Sequence, residues 1–372
     1  MSSERTLVLA GAGHAHVEVF RRWERRPIPG VSLVLIVDRN PAIYSGMVPG
    51  FVAGQYRQDE IAIDGVGLAA RAGGRVVLES VTRIDARRQQ ITCQRGTTVS
   101  YDIASLDLGS TVIGRDLRGA ADHALPARPI EGLIAGVEDL IARARTGGSG
   151  EPFALVVVGG GAGGVELAFC FEARLRSETG RSARVTLLDQ SEGLLPRSPP
   201  ALANRVARAA RRRGILFRGG ARIVGVNGAT LLLASGEKIE ADASVWVLGP
   251  AAHGFLRSSG LPVDGRGFVR IEPTLQVEGN PTLYAVGDCA ALPGMRKAGV
   301  YAVRAGPILD ANLRSVLAAE PLRRYRPQPE FLSLLNLGDG TAIGVKRGLT
   351  FEGRWVMRLK DAIDRRFMGR YQ

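Results

Sequence analysis

Apolar residues come along this chain in short uninterrupted runs that stop at glycines, and the arrangement occurs twice. Thr6 to Ala10 (TLVLA) ends in Gly11-Ala12-Gly13 and leads into a helical pattern from Ala15 to Arg25. Val31 to Val37 (VSLVLIV) is again wholly apolar and closes on Asp38. Runs of this length without polar alternation read as buried strands, and strand, glycine turn, helix, strand is a βαβ unit. The succession restarts with a helix over Ile130 to Ala144, the flexible link Thr146-Gly147-Gly148-Ser149-Gly150 and the strand Ala154 to Val158. The loop Gly159 to Gly164, a helix to about Arg176 and the strand Val185 to Asp189 complete it. The repeat is a whole βαβ unit, not a solenoid period.

Between the units, residues 75 to 112 alternate β-rich runs with turns and read as an inserted meander. Further β-rich stretches follow the second unit, and Thr282 to Val286 is a last strand before Gly287-Asp288. From about Arg314 the chain reads as a tail with proline turns around Arg326-Pro327-Gln328-Pro329 and a basic helix at its end. A length of 372 residues exceeds one hydrophobic core, so the expected fold is α/β with two Rossmann-like domains and a small C-terminal cap.

Composition narrows the partners. The 49 Lys and Arg outnumber 36 Asp and Glu, for a net charge of +13, which suits an anionic partner. The arginines are scattered, with no zinc-finger spacing or aromatic-basic RNA signature, so nucleic acid is not expected, and no metal site is indicated. Cys93, Cys170 and Cys289 are too few and too widely spaced for a disulfide framework, which points to a reducing cytoplasm. No run of about 18 apolar residues is present to span a bilayer, and Thr6 to Gly13 is too short for a signal-peptide core.

The glycine loops carry the chemistry. In the first, Gly11 permits the turn, Gly13 lets a diphosphate approach the backbone, and the helix beginning near His14 and Ala15 offers amide donors and a favourable dipole. His16 departs from the pattern, standing where Gly or Ala lets helix and strand pack closely. Asp38 strengthens the reading, because a carboxylate ending the second strand binds ribose hydroxyls. The second loop matches fully, with Gly159, Gly161 and Gly164 in the three roles, Glu166 on the following helix, and Asp189 ending the next strand. Asp189 would accept from a ribose 2′-hydroxyl and repel a 2′-phosphate, which favours NADH; Arg197 leaves NADPH open. Two such loops imply two dinucleotides, productively a nicotinamide stacked on a flavin for hydride transfer, with no acid-base triad required.

Together with Thr282-Leu283-Tyr284-Ala285-Val286-Gly287-Asp288, these loops resemble the pyridine nucleotide-disulfide oxidoreductase superfamily over about residues 5 to 312. The stretches GAGHAHVEV, PAIYSGMVPGFVAGQY, KAGVYAVRAGPILDANL and RLKDAIDRRFMGRY are similar to the NADH-dehydrogenase-like flavoprotein fused ahead of selenide, water dikinase in some bacteria, itself akin to type II NADH dehydrogenases and sulfide:quinone oxidoreductases. The resemblance implies an FAD domain over 1–118 and 250–312, an NAD(P)H domain over 119–249, and a cap over 313–372. It places FAD at Gly11, Gly13, His14, Ala15, Asp38, Gly109, Asp288 and Ala298, and the nicotinamide dinucleotide at Gly159, Gly161, Gly164, Glu166, Asp189 and Gly249. Gly109 and Gly249 end the strand-then-glycine crossovers LDLGS and VWVLG.

The implied activity is an FAD-dependent NAD(P)H oxidoreductase passing electrons to a quinone-like or other small acceptor. The disulfide reductases' CxxxxC pair is missing: that region reads Tyr44-Ser45-Gly46-Met47-Val48-Pro49. Cys170 and Cys289 read as buried small residues, so transfer needs no thiol relay. The resemblance puts Tyr44 and the segment after it over the flavin, and Lys297, Tyr301 and Arg304 beside flavin or acceptor, where the quinone-pocket glutamines are lacking.

Trp355, Leu359, Ile363 and Phe367 fall on one side of a helix among arginines, over residues 354–371. That pattern suits the anionic inner face of the cell membrane and equally docking on the protein's own body. A homodimer is compatible with the sequence. Two alternatives stand: a soluble reductase of a selenium or sulfur compound, and an NADH-sensing flavoprotein acting through protein partners.

Overall fold

The computed structural model describes residues 4–146, 152–179 and 183–372; most of the glycine-rich link, 147–150, lies outside them. The first βαβ unit builds a five-stranded parallel sheet in the order Leu283–Ala285, Ile103–Leu106, Arg5–Ala10, Val31–Val37, Arg75–Leu78. Its strands are mostly apolar because helices cover both faces, with Ser105 the buried polar exception. The register determines where the chemistry falls. Ala10 lies opposite both Ile36 and Leu106, and Leu106 opposite Ala285, so four strands end at one level. Gly11, Asp38, Asp107 and Gly287-Asp288 therefore leave the sheet along a single carboxyl-end edge, where α/β sheets bind ligands.

The second unit repeats the architecture as Leu125–Pro126, Ala243–Trp246, Phe153–Val158, Ala183–Leu188, Leu216–Arg218, again all parallel. Val158 lies opposite Leu188 and Trp246, which aligns Gly159, Asp189 and Val247 at its carboxyl edge. Each sheet carries a three-stranded antiparallel appendage, Val81–Asp85 to Thr98–Ser100 in the first and Ile223–Asn227 to Lys238–Glu240 in the second. The internal repeat thus includes the appendages.

Two expectations are corrected. The stretch 75 to 112 is not one meander: Arg75–Leu78 and Ile103–Leu106 belong to the parallel sheet and only the strands between them are antiparallel. The helix Gly65–Arg71 supplies the crossover that makes Arg75–Leu78 parallel. Nor does the tail begin at Arg314. The helix Gly299–Leu317 runs through it, with Pro307 inside. Beyond it an antiparallel sheet (Ser333–Asn336, Ala342–Lys346, Leu349–Gly353) and the helix Arg354–Met368 pack onto the body.

The glycine-loop helix His14–Arg25 buries Val17, Phe20 and Trp23, and each large apolar side chain so buried contributes about 1.5–3 kcal/mol. Its neighbour is Gly299–Leu317, which approaches at Gly306: a Cβ there would lie 3.2 Å from the Ala15 carbonyl oxygen. This contact brings the amino end of Gly299–Leu317 to the first glycine loop.

Candidate functional site

The carboxyl edge of the first sheet opens into a cavity of about 450 Å3, walled by the loop Gly11 to His14, by Asp38, by Asp107 to Ser110, by Arg128, and by Gly287-Asp288 with Gly299. Gly11 adopts φ +92° because its backbone passes against the Asp107 carbonyl, 2.3 Å from where a Cβ would sit. Gly109, φ +66°, has no atom within 4 Å of its Cβ position, so a side chain there would occupy the cavity itself. Glycine loop, helix N-terminus and open glycine together fit a dinucleotide diphosphate. Asp38 lies on the wall, its carboxylate held by Arg39 at 2.7 Å.

His16 explains its own departure from the motif. Nδ1 meets the Gly11 carbonyl at 2.6 Å and Nε2 meets Ser105 Oγ at 2.9 Å. A carbonyl only accepts, so Nδ1–H donates and the bare Nε2 accepts from the serine hydroxyl. Burial lowers the imidazole pKa to about 4, and it sits neutral. The side chain bridges helix and strands where glycine would have let them touch. His14 instead faces the cavity, 3.4 Å from Ser45 Oγ, and burial likewise lowers it to about 4. It does not cap its helix; the N-cap is Gly13, without a side-chain bond.

Sequence reasoning passed over three cavity residues. Asp107 is buried; its Oδ2 accepts from Ala15 N at 2.9 Å and His16 N at 3.3 Å, capping the glycine-loop helix from another strand. Burial pushes its pKa up to about 7. Arg128 ion-pairs with Asp288 and donates to Ser110 Oγ at 2.8 Å, so the Asp288 carboxylate carries its own counterion. His253 meets the Leu108 carbonyl at 3.1 Å from the return crossover. Asp107 belongs to the crossover LDLGS, and the signal for it in the sequence is an acid directly after an apolar strand, as at Asp38.

Tyr44 stacks on Phe367 of the C-terminal helix, ring centroids 4.3 Å apart, and donates to Asp364 at 3.1 Å. Lys360, from the same helix, bonds Asp364 at 2.8 Å and the Gly46 carbonyl at 2.6 Å. Glu166 joins this buried cluster: its carboxylate accepts from Asn336 N at 2.8 Å, and burial raises its pKa to about 7. Burial opposes the charge on Lys360, but Glu166 and Asp364 outweigh it and hold its pKa above the ordinary value. The cluster lies directly behind Ser45, which lines the cavity.

Lys297 and Tyr301 sit apart. Lys297 bonds the Ala290 carbonyl and lies 3.8 Å from the Phe268 ring centre, with burial lowering its pKa to about 8. Tyr301 is buried and donates to the Gln328 carbonyl at 3.1 Å, on the tail side of its helix. Ala298 is the N-cap of that helix and leads to Gly299 on the cavity wall. Cys289 and Cys170 are fully buried; burial pushes Cys289 to about 12 and Cys170 well above the ordinary thiol range.

In the second loop Gly159 has φ +123°, and a Cβ at Gly164 would lie 1.7 Å from the Gly159 carbonyl oxygen, so helix and strand touch there. Gly161 has open space on its Cβ side. The Asp189 carboxylate accepts from Gly160 N at 2.5 Å and Ser191 N at 2.7 Å, which fixes its orientation at the strand end. Gly249, φ +91°, ends the crossover back to the first domain and pairs through its carbonyl with Ile113 N at 3.0 Å.

Two carboxyl-edge glycine loops, each with an acid ending the next strand, define a protein that holds two dinucleotides. The chain belongs to the pyridine nucleotide-disulphide oxidoreductase family, whose model matches residues 5–307. It is an oxidoreductase of the FAD- and NAD(P)H-dependent kind, as the resemblance implied. The NADH dehydrogenase-like protein YutJ of Bacillus subtilis is 25% identical over 368 residues, covering 96% of this chain and 97% of that one. The demethylphylloquinone reductase of Synechocystis sp. is 25% identical over 326 residues, covering 84% and 79%. Among solved structures, NDH2 from Plasmodium falciparum in complex with NADH superimposes with a TM-score of 0.82 at 12% identity, covering 98% and 97%.

Proposed function

We propose that this chain oxidises NADH and delivers the electrons to a quinone-like acceptor that it meets at an anionic membrane surface. When bound, FAD supplies the hydride acceptor and hands electrons onward. Gly11, Gly13, Ala15 and Asp38 position it in the first cavity, and Gly159, Gly161, Gly164 and Asp189 position the nicotinamide dinucleotide, with the Asp189 carboxylate selecting a free 2′-hydroxyl. His14 and Ser45 form the wall at one end of the cavity with Tyr44 packed against His14, and the Lys360 bond to Gly46 holds that wall in place. The buried thiols leave no cysteine relay on this route.

One observation carries the acceptor reading. The helix Arg354–Met368 closes that wall with its inner face, through Phe367, Asp364 and Lys360, while its outer face exposes Trp355 (55%), Leu359 (37%) and Ile363 (45%). Leu349, 74% exposed, stands at the adjoining hairpin beside Lys346 and Arg347, and Arg354, Arg358 and Arg366 flank the stripe. An exposed apolar stripe rimmed by arginine suits the interface of an anionic bilayer. No helix among the described residues is long and apolar enough to cross a membrane. The resemblance to a demethylphylloquinone reductase supports the same acceptor class.

Flotation with phosphatidylglycerol-containing vesicles tests this. The wild type should float, and the variant carrying Trp355→Ala, Leu359→Ser and Ile363→Ser should stay behind while keeping its rate with a water-soluble quinone within about twofold. Equal flotation of the variant, or faster turnover with a selenium or sulfur compound than with any quinone, would overturn the reading.

A further inference from the structure

Asp107 lies where the first diphosphate site draws its strength. Its Oδ2 takes the amides of Ala15 and His16 in the first turn of the glycine-loop helix. The carboxyl group lies over Gly13, whose Cβ would come within 2.3 Å of it, and Oδ1 turns toward Gly287, whose Cβ would come within 2.4 Å. Gly13, Gly287 and Asp107 all line the same cavity. A dinucleotide diphosphate seated on Gly13 and His14 would thus share one helix N-terminus with a carboxylate in contact with it.

The groups around Asp107 supply no compensating charge. His14 and His16, on the helix, are neutral imidazoles, both lowered to about 4 by burial. From the Gly287–Cys289 turn, Asp288 adds a like charge already matched by Arg128 of the crossover, and Cys289 is a thiol pushed up to about 12. Lys297, beyond Cys289, is tied to the Ala290 carbonyl. Two phosphate charges beside a buried carboxylate with no counterion would repel it. One proton removes the conflict and turns Asp107 from a competitor for amides into a hydrogen-bond donor.

We propose that Asp107 is a ligand of the flavin dinucleotide and enters that contact as the neutral acid, so that FAD binding takes up a proton. The proposal rests on the assignment of FAD to the first loop. Burial places the free acid's titration near neutrality, its pKa pushed up to about 7, so the linkage falls in an accessible range. If only the neutral acid binds, affinity is level below that pH and falls about tenfold per pH unit above it.

Quenching of flavin fluorescence on titrating apoprotein with FAD between pH 6 and 9 reads the affinity directly. Calorimetry at pH 8.5 in two buffers of different ionisation enthalpy counts protons. The wild type should lose about 25-fold in affinity between pH 6.5 and 8.5 and take up close to one proton at pH 8.5. Asp107→Asn keeps an acceptor for the two amides and a donor for the dinucleotide, so it should bind FAD with little pH dependence and more tightly than wild type at pH 8.5. Tight binding by the wild type with no proton uptake overturns the proposal and leaves the FAD assignment standing. Absence of FAD binding at every pH overturns the assignment and the proposal together. Should Asp107→Asn fail to fold, the proton count on the wild type still decides.

Discussion

Replacing His16 with glycine would restore the standard fingerprint of the first loop, and the structure predicts that this makes the protein worse. In the second loop, Gly164 has no room for a side chain, because the Gly159 carbonyl lies 1.7 Å from its Cβ position. In the first loop that space is filled by an imidazole donating to Gly11 and accepting from Ser105. His16→Gly removes two buried hydrogen bonds, each worth about 1 kcal/mol net, and leaves a ring-sized void costing about 2 kcal/mol more. The expected loss is about 3 to 5 kcal/mol at pH 7.5, read by urea denaturation of the apoprotein. The loss should also depend on pH. Burial holds the folded imidazole at about 4 against 6.5 ordinarily, so the folded protein binds fewer protons than the unfolded chain between those values. The contribution of His16 is whole above pH 6.5 and drains away as pH falls toward 4. The gap between wild type and variant should therefore narrow by up to about 3 kcal/mol over that range. A variant as stable as wild type at pH 7.5, or a gap that ignores pH, would mean that the buried neutral imidazole does not hold helix and strands together.

Lys360→Met should destabilise the protein by about 3 to 5 kcal/mol in denaturant, since it strands Asp364 and Glu166 without their buried cation. A loss under about 1 kcal/mol would mean that the cluster is not held by charge. Cys170→Ala with Cys289→Ala should keep turnover with a water-soluble quinone within about twofold, because neither thiol can reach a substrate. A hundredfold drop would put a thiol back into the electron path. Glu166, pushed up to about 7 by burial, gains a proton on folding at neutral pH, which costs stability as pH rises from its ordinary range toward 7. Glu166→Gln should flatten that part of the stability profile, measured by thermal denaturation between pH 4.5 and 7.5.

Both βαβ units and the positions of Asp38 and Asp189 were legible because each depends on neighbours in sequence: an apolar run, a glycine turn, a helix, an acid at the strand end. What was not legible comes from distant segments meeting. Asp107 caps a helix 92 positions away, and Tyr44 meets Asp364 across 320. No periodicity in either stretch records the partner. The stretch 75 to 112 misled for a related reason, since a short strand's composition does not state whether its partner runs parallel. The C-terminal helix was seen as amphipathic, yet its two faces have different occupants. Phe367 turns inward to Tyr44, while Trp355, Leu359 and Ile363 stay outside. The seating of Lys297 and Tyr301 against Ala290 and Gln328 likewise depends on backbone carbonyls that no side-chain pattern reveals.

With two dinucleotide loops, one chain brings a flavin and a nicotinamide together for direct hydride transfer. Anaerobic titration of the FAD-loaded protein with NADH, followed by absorbance near 450 nm, tests it most directly. Bleaching should be complete at about one NADH per flavin, with a much weaker response to NADPH, and the colour should return on adding a quinone. Protein that acquires no flavin spectrum after reconstitution with FAD, or whose flavin stays oxidised in excess NADH and NADPH, would contradict it.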